Sequence, residues 1–239
     1  MKIEMWSDFA CPYCYIGKRQ LEKALESFPN VDNIDISFRS FELDPEASYE
    51  TISTTKERVA KKYGYSSEQA QQMIDNVTNY ANSVGLDFHY ETTLYTNTFD
   101  AHRISKYAET KGKGIEMSEK LLHAYFVENK QLSNHQVLID IAVEIGLDRQ
   151  EVEDVLKSKK FAEDVRNDEL QASKMGIYSV PCFVINEKYS ISGARPAEVI
   201  KTVIENVLQE EALLKSVESE HLNGMTCDSN GCIIPNNKE

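Results

Sequence analysis

The sequence predicts an α/β protein in which a large all-helical insertion interrupts a small sheet. Three observations carry that reading. A strand-like run over residues 2–6 leads within a few residues into Cys11-Pro12-Tyr13-Cys14 and a helical pattern. Residues 54–157, roughly a hundred in all, are helical in periodicity with no comparable strand among them. A proline-led pair of short strands over residues 179–192 then precedes a closing amphipathic helix.

Each element has its own local signal. Residues 12 to about 28 place Ile16, Leu21 and Leu25 at helical spacing before Pro29-Asn30 breaks the run. Residues 34–41 alternate apolar and polar side chains, as a half-buried strand does. The link back to the first strand has crossover length, so the two strands run parallel. In the insertion, residues 66–81 read as a helix with Ser66 as N-cap and Gly85 beyond its end. Further helices fall at 98–108, 118–128 and 135–144, and Asp148 with Glu151 three residues on caps a fifth. Residues 159–175 form a helix that stops at Gly176. Residues 179–186 form an apolar strand, Asn186-Glu187-Lys188 turns, and residues 189–192 return beside it. Pro196 opens a last helix running to about residue 214. The expected division is 1–53 and 158–214 for the sheet-bearing domain, 54–157 for the insertion, and 215–239 for a flexible tail.

Composition narrows the function. The chain has 239 residues, 41% of them hydrophobic and 27% charged, which is the balance of a soluble globular protein. A formal net charge of −13 argues against nucleic acid and against an anionic membrane surface as partners. The opening residues show no apolar leader, and no run approaches the roughly 18 apolar residues of a membrane span. The expectation is a cytoplasmic protein, where paired cysteines serve catalysis, redox sensing or metal binding more often than structure.

The pair Cys11 and Cys14 has the context of a redox switch. A cysteine at a helix N-terminus meets unpaired N–H groups and the positive end of the helix dipole, which favour the thiolate. Pro12 fits the first helical turn, where its missing N–H costs nothing. Cys14 lies one turn further in, close enough to close a disulfide. The competing reading is half of a zinc site, which needs two more ligands that Cys227 and Cys232 would have to supply. The proline at the helix start favours redox chemistry.

The string from Trp6 to Gly17, WSDFACPYCYIG, resembles the FrnE-like branch of the DsbA family. So do Asn97-Thr98-Phe99-Asp100-Ala101-His102-Arg103 and Val180-Pro181 followed by Phe183-Val184-Ile185. The resemblance implies a thioredoxin fold with a large helical insertion and a thiol–disulfide oxidoreductase or isomerase. It implies Cys11 as the exposed nucleophile and Cys14 as the resolving thiol. Pro181 would be a cis-proline facing the disulfide, with Pro12, Tyr13, Val180 and Pro181 forming the substrate-binding surface. Protein thiols or disulfides, or glutathione, would be the partners, with no cofactor and no metal. Tyr13 departs from the histidine of DsbA itself and makes the motif look like the glutaredoxin pair, implying a less oxidising disulfide. Oxidation, reduction and isomerisation all use the same two sulfurs, so the direction stays open. A glutathione-dependent isomerase or transferase, similar to the kappa and hydroxychromene-carboxylate types, is one alternative; those proteins place serine where Cys11 stands. A non-catalytic zinc or redox sensor, in which the tail closes on Cys11 and Cys14, is the other.

Other residues carry weaker expectations. Cys227 and Cys232 flank an Asn230-Gly231 turn and form a possible auxiliary redox pair in the tail. Cys182 reads as a small buried hydrophobe. His102 reads as a packing or hydrogen-bonding residue near the domain junction. His89, His123, His135 and His221 have no metal-ligand spacing. Tyr13 belongs to the site rim and Trp6 to the core, and Glu210-Glu211 to a solvated helix face.

Overall fold

The computed structural model describes residues 1–28, 34–223, 226–228 and 231–233, with side chains to residue 214. The order is β1 (Lys2–Ser7), α1 (Pro12–Leu25), β2 (Asp35–Ser40), then the helices α2 (Thr55–Tyr63), α3 (Ser67–Ser83), α4 (Phe99–Thr110), α5 (Gly114–Phe126), α6 (His135–Glu144), α7 (Arg149–Leu156) and α8 (Ala162–Lys174). The hairpin β3 (Cys182–Ile185) and β4 (Tyr189–Ser192) follows, then α9 (Ala197–Asn223) and the short strands β5 (Thr226–Asp228) and β6 (Gly231–Ile233). The main sheet has the order β2-β1-β3-β4, with β1 parallel to β2 and antiparallel to β3. This is the predicted thioredoxin-type sheet with its helical insertion between β2 and β3.

Strand alternation divides the sheet's two faces. Ile3, Met5, Phe183 and Ile185 pack with Leu21 of α1 and with Ile200 and Ile204 of α9. Trp6, Cys182 and Val184 pack on the other side with Ala172 of α8. Polar ties reinforce that second side. The Trp6 indole donates to the Asp168 carbonyl at 3.1 Å, and the Asp168 carboxylate pairs with Arg39 at 3.0 Å and Lys106 at 2.6 Å.

The insertion has a core of its own, and α1 is shared with it. Phe9, Ala10, Tyr15 and Ile16 join Phe88, Leu121, Tyr125, Phe126 and their neighbours. Tyr15 stacks on Phe88 at 5.8 Å and Phe88 on Phe126 at 4.6 Å. Full burial of side chains this large contributes about 1.5–3 kcal/mol each. Beside them the Glu119 carboxylate of α5 accepts from the Tyr15 hydroxyl at 2.6 Å, Lys18 at 2.5 Å and Arg19 at 2.9 Å.

Several boundaries differ from expectation for identifiable reasons. α2 is an additional helix, and its Thr54/Glu57 capping box was readable as Thr-x-x-Glu. Ser66 caps α3 with Gln69 completing the box, as expected. Asp148 likewise accepts from the Glu151 N–H. α1 ends at Leu25, and α5 begins at Gly114. β3 starts at Cys182, because Pro181 has no N–H to give the ladder. Asn186 and Glu187 both take positive φ, 49° and 56°, to close the β3–β4 turn. Glu210 and Glu211 do not form a merely solvated face. Glu210 bonds Lys188 and the Tyr189 hydroxyl, and Glu211 accepts from Asn186 at 2.6 Å, so α9 pins the hairpin. α9 also runs past residue 214, into the segment expected to be tail. Among the described residues no helix is long and apolar enough to cross a membrane.

Candidate active site

Cys11 is the N-cap of α1, with φ −94° and ψ 112°, and its side chain makes no capping bond to the helix. Its N–H donates to the Asp8 carbonyl at 3.1 Å, and the Cys14 N–H donates to the Cys11 carbonyl at 3.0 Å. A tight turn therefore sets both cysteines at the start of one helix. Both thiols are free.

Cys11 is not the exposed group expected of a nucleophile. It is 4% accessible and Cys14 is wholly buried. The reason is the segment opposite: the Cys11 sulfur lies 3.6 Å from the Val180 carbonyl. The Val180–Pro181 bond is cis, as expected from the resemblance. Gly17, one further turn along α1, lets the Pro181 ring approach the helix, since a Cβ on Gly17 would stand 2.9 Å from Pro181 Cγ.

Burial pushes the Cys14 thiol well above its ordinary range, and the adjacent Cys11 adds to the effect. The buried Ser7 hydroxyl has no hydrogen-bond partner of its own and, with the Asp8 backbone, works in the opposite direction on the Cys14 thiol. The Cys14 sulfur is thus held protonated in a dry place, with the Ser7 hydroxyl and the Asp8 backbone opposing the rise.

Two hollows are lined by Tyr13 and by the β2–α2 loop respectively. Tyr13, 37% exposed, faces Tyr65, Gln69, Met73 and Asn76 across a hollow of about 410 Å³. A cavity of about 500 Å³ lies between the β2–α2 loop and α2, with Arg58, Lys61 and Lys62 on one wall and Asp44, Glu46 and Glu50 on the other. The Arg58 guanidinium sits 4.1 Å above the Tyr95 ring, and its Nε and Nη2 are buried without partners.

Beneath the motif, Asp8 is buried with its carboxylate fully engaged. Oδ1 accepts from the Ala10 N–H at 3.1 Å and the Thr98 hydroxyl at 2.9 Å, and Oδ2 from the Leu43 N–H at 2.7 Å. His102 lies 3.6 Å from Oδ1. Asp8, Arg58 and Gly17 escaped the sequence reading as functional residues, and His102 was placed only near the junction. The acidic residue just ahead of the CxxC was the one local signal available.

Of the other cysteines, Cys182 is buried on the far side of the sheet, with Trp6 and Ala172, and burial raises its thiol. It does not join the site. Cys227 and Cys232 stand opposite one another in the β5–β6 backbone register, and their side chains lie outside the described part of the structure. Among the described residues no three His, Cys, Asp or Glu side chains are grouped to hold a metal.

Comparison with known proteins agrees with this architecture. The DSBA-like thioredoxin domain family matches residues 2–205. A probable DsbA oxidoreductase from Streptomyces coelicolor, SCO1869, superposes with a TM-score of 0.84 at 33% identity, over 99% of this chain and 100% of that one. The uncharacterized protein YwbO of Bacillus subtilis (strain 168) is 25% identical over 84% of this chain and 94% of its own length. The cytosolic disulfide reductase DsbM of Pseudomonas aeruginosa, solved with GSH, shares the fold at 14% identity with a TM-score of 0.62, over 87% of this chain and 100% of that one.

Proposed function

The chain belongs to the DSBA-like thioredoxin domain family, and on that footing we propose that it is a cytoplasmic dithiol–disulfide oxidoreductase or isomerase of the FrnE-like branch, working through Cys11 and Cys14. The observation that carries the reading is the placement of the Cys11 sulfur 3.6 Å from the carbonyl of the cis-linked Val180, with Cys14 buried behind it. A substrate strand laid along Val180 and Pro181 meets that sulfur first, and Pro12 and Tyr13 border the approach.

The cycle balances with these two sulfurs alone. The Cys11 thiolate attacks a substrate disulfide, forming one S–S bond and releasing the first substrate thiolate, which takes a proton from water. Cys14 then gives its proton to solvent and attacks the Cys11 sulfur of the mixed disulfide. The Cys11–Cys14 bond forms, the second substrate thiolate leaves, and two electrons have passed to the substrate. Run backwards, the same steps oxidise a substrate dithiol.

Protein thiols and small thiols of the glutathione class are the proposed partners. DsbM with its bound GSH supports the second group on this fold. The basic side chains of Arg58, Lys61 and Lys62, which line one cavity, offer partners for a carboxylate. A glutathione transferase or isomerase would have no use for Cys14, which here is built into the motif. The facing register of Cys227 and Cys232 supports an auxiliary redox pair that exchanges electrons with the first.

Trapping tests the order of events. Cys14→Ser accumulates mixed disulfides with substrate, and Cys11→Ser accumulates none. Equal trapping by the two variants overturns the assignment.

A further inference from the structure

Asp8 ends three residues before the nucleophile, and its charge has to be balanced inside the protein. Its three close donors, two backbone N–H groups and a hydroxyl, satisfy the lone pairs but bring no positive charge. A buried carboxylate without a counter-ion is costly. Among the described residues, His102 is the basic group at ion-pair distance, 3.6 Å away, and its Nε2 is buried with no hydrogen-bond partner.

The surroundings of His102 hold it in place. Its ring packs on Phe9 at 4.7 Å, which fixes it against the same loop. It also acts electrostatically on Glu42, a buried carboxyl whose Oε1 has no partner and whose Oε2 pairs with Arg166. A helix of the insertion, α4, thus carries His102 to the loop that holds Asp8.

Asp8 also touches both cysteines through its backbone. Its carbonyl holds the Cys11 N–H, and its main chain acts on the Cys14 thiol. An uncompensated charge on Asp8 works against any thiolate in the motif. We propose that His102 is a positioning residue of the redox site: as an imidazolium it neutralises Asp8 and fixes residues 7–10, and so stabilises the reduced pair relative to the disulfide. The proposal rests on the Cys11–Cys14 reading above.

The test is the equilibrium between protein disulfide plus two glutathione and protein dithiol plus glutathione disulfide, measured on the full chain. His102→Gln removes the charge and keeps a hydrogen-bonding side chain. It shifts the equilibrium toward the protein disulfide by about tenfold, or about 30 mV to more negative potential. His102→Lys restores the charge and most of the wild-type constant. Asp8→Asn removes the charge that His102 balances, so adding His102→Gln to it changes the constant by less than about twofold. A purely structural role would lower the melting temperature and leave the constant alone. A wild-type constant in His102→Gln, or the same shift with and without Asp8, overturns the inference. Should His102→Gln not fold, the pair Asp8→Asn and Asp8→Asn with His102→Gln decides: a shift of about tenfold between those two refutes it. If the wild-type pair forms no reversible disulfide, the oxidoreductase reading fails first and this inference with it.

Discussion

Gly17 lies directly under Pro181, so close that a Cβ there would meet Pro181 Cγ at 2.9 Å and the Phe183 ring at 3.3 Å. The proline ring cannot bend away as a long side chain would, so the contact fixes the distance between α1 and the segment that faces Cys11.

Gly17→Ala therefore displaces the Val180–Pro181 segment. The expected cost is about 1–3 kcal/mol of stability, the usual price of overpacking, partly offset by about 1 kcal/mol of helix propensity. Disulfide-reduction turnover falls more than stability does, because the displaced carbonyl is the one beside the Cys11 sulfur. Urea unfolding and insulin reduction measure the two effects. A variant with unchanged turnover would show that the approach has slack.

The second step of the cycle should depend steeply on pH. Burial and the neighbouring Cys11 raise the Cys14 thiol well above its ordinary range. The reactive thiolate is then a small fraction at neutral pH, and it grows about tenfold per pH unit below the thiol's pKa. Release of the second substrate thiol in a single turnover accelerates accordingly with rising pH. Ser7→Ala removes a donor from that sulfur and slows the step further. A flat profile for release would contradict the raised thiol.

Acid should loosen the joint between α1 and the insertion. The Arg19 and Lys18 cations and the Tyr15 hydroxyl hold the Glu119 carboxyl down at about 2, although burial alone would raise it from 4.5. A carboxyl depressed on folding stabilises the protein fully above its unfolded pKa, and that stability is lost as pH falls from about 4.5 toward 2. The contribution is on the order of 2–3 kcal/mol. Glu119→Gln should thus be destabilised at pH 7, and its deficit relative to wild type should shrink at about pH 3. Denaturant midpoints at the two pH values read this directly.

The sequence revealed what neighbouring residues decide. The CxxC, its strand before and helix after, the hairpin with its proline, and the caps at Ser66 and Asp148 each depend on a few adjacent side chains. The Thr54/Glu57 box was equally local and went unread, at the cost of α2. The rest of the site is assembled from a distance. Asp8, Leu43, Thr98 and His102 come from three separate stretches of chain and meet only after the insertion packs on the sheet. No periodicity marks such a meeting. Glu210 and Glu211 teach the same lesson, since their partners in the hairpin lie more than twenty residues away and nothing near them in sequence announces it.

One consequence of the shared helix concerns any attempt to reduce the protein to its smallest working part. Cys11 belongs to the sheet's interior, whereas Phe9, Ala10, Tyr15 and Ile16 on either side of it belong to the insertion's. Cutting the insertion away would leave those four side chains wet on either side of the sulfur. The proposed redox centre is a seam rather than an appendage of either half, and a shortened chain would have to replace that lining before the proposed chemistry could run.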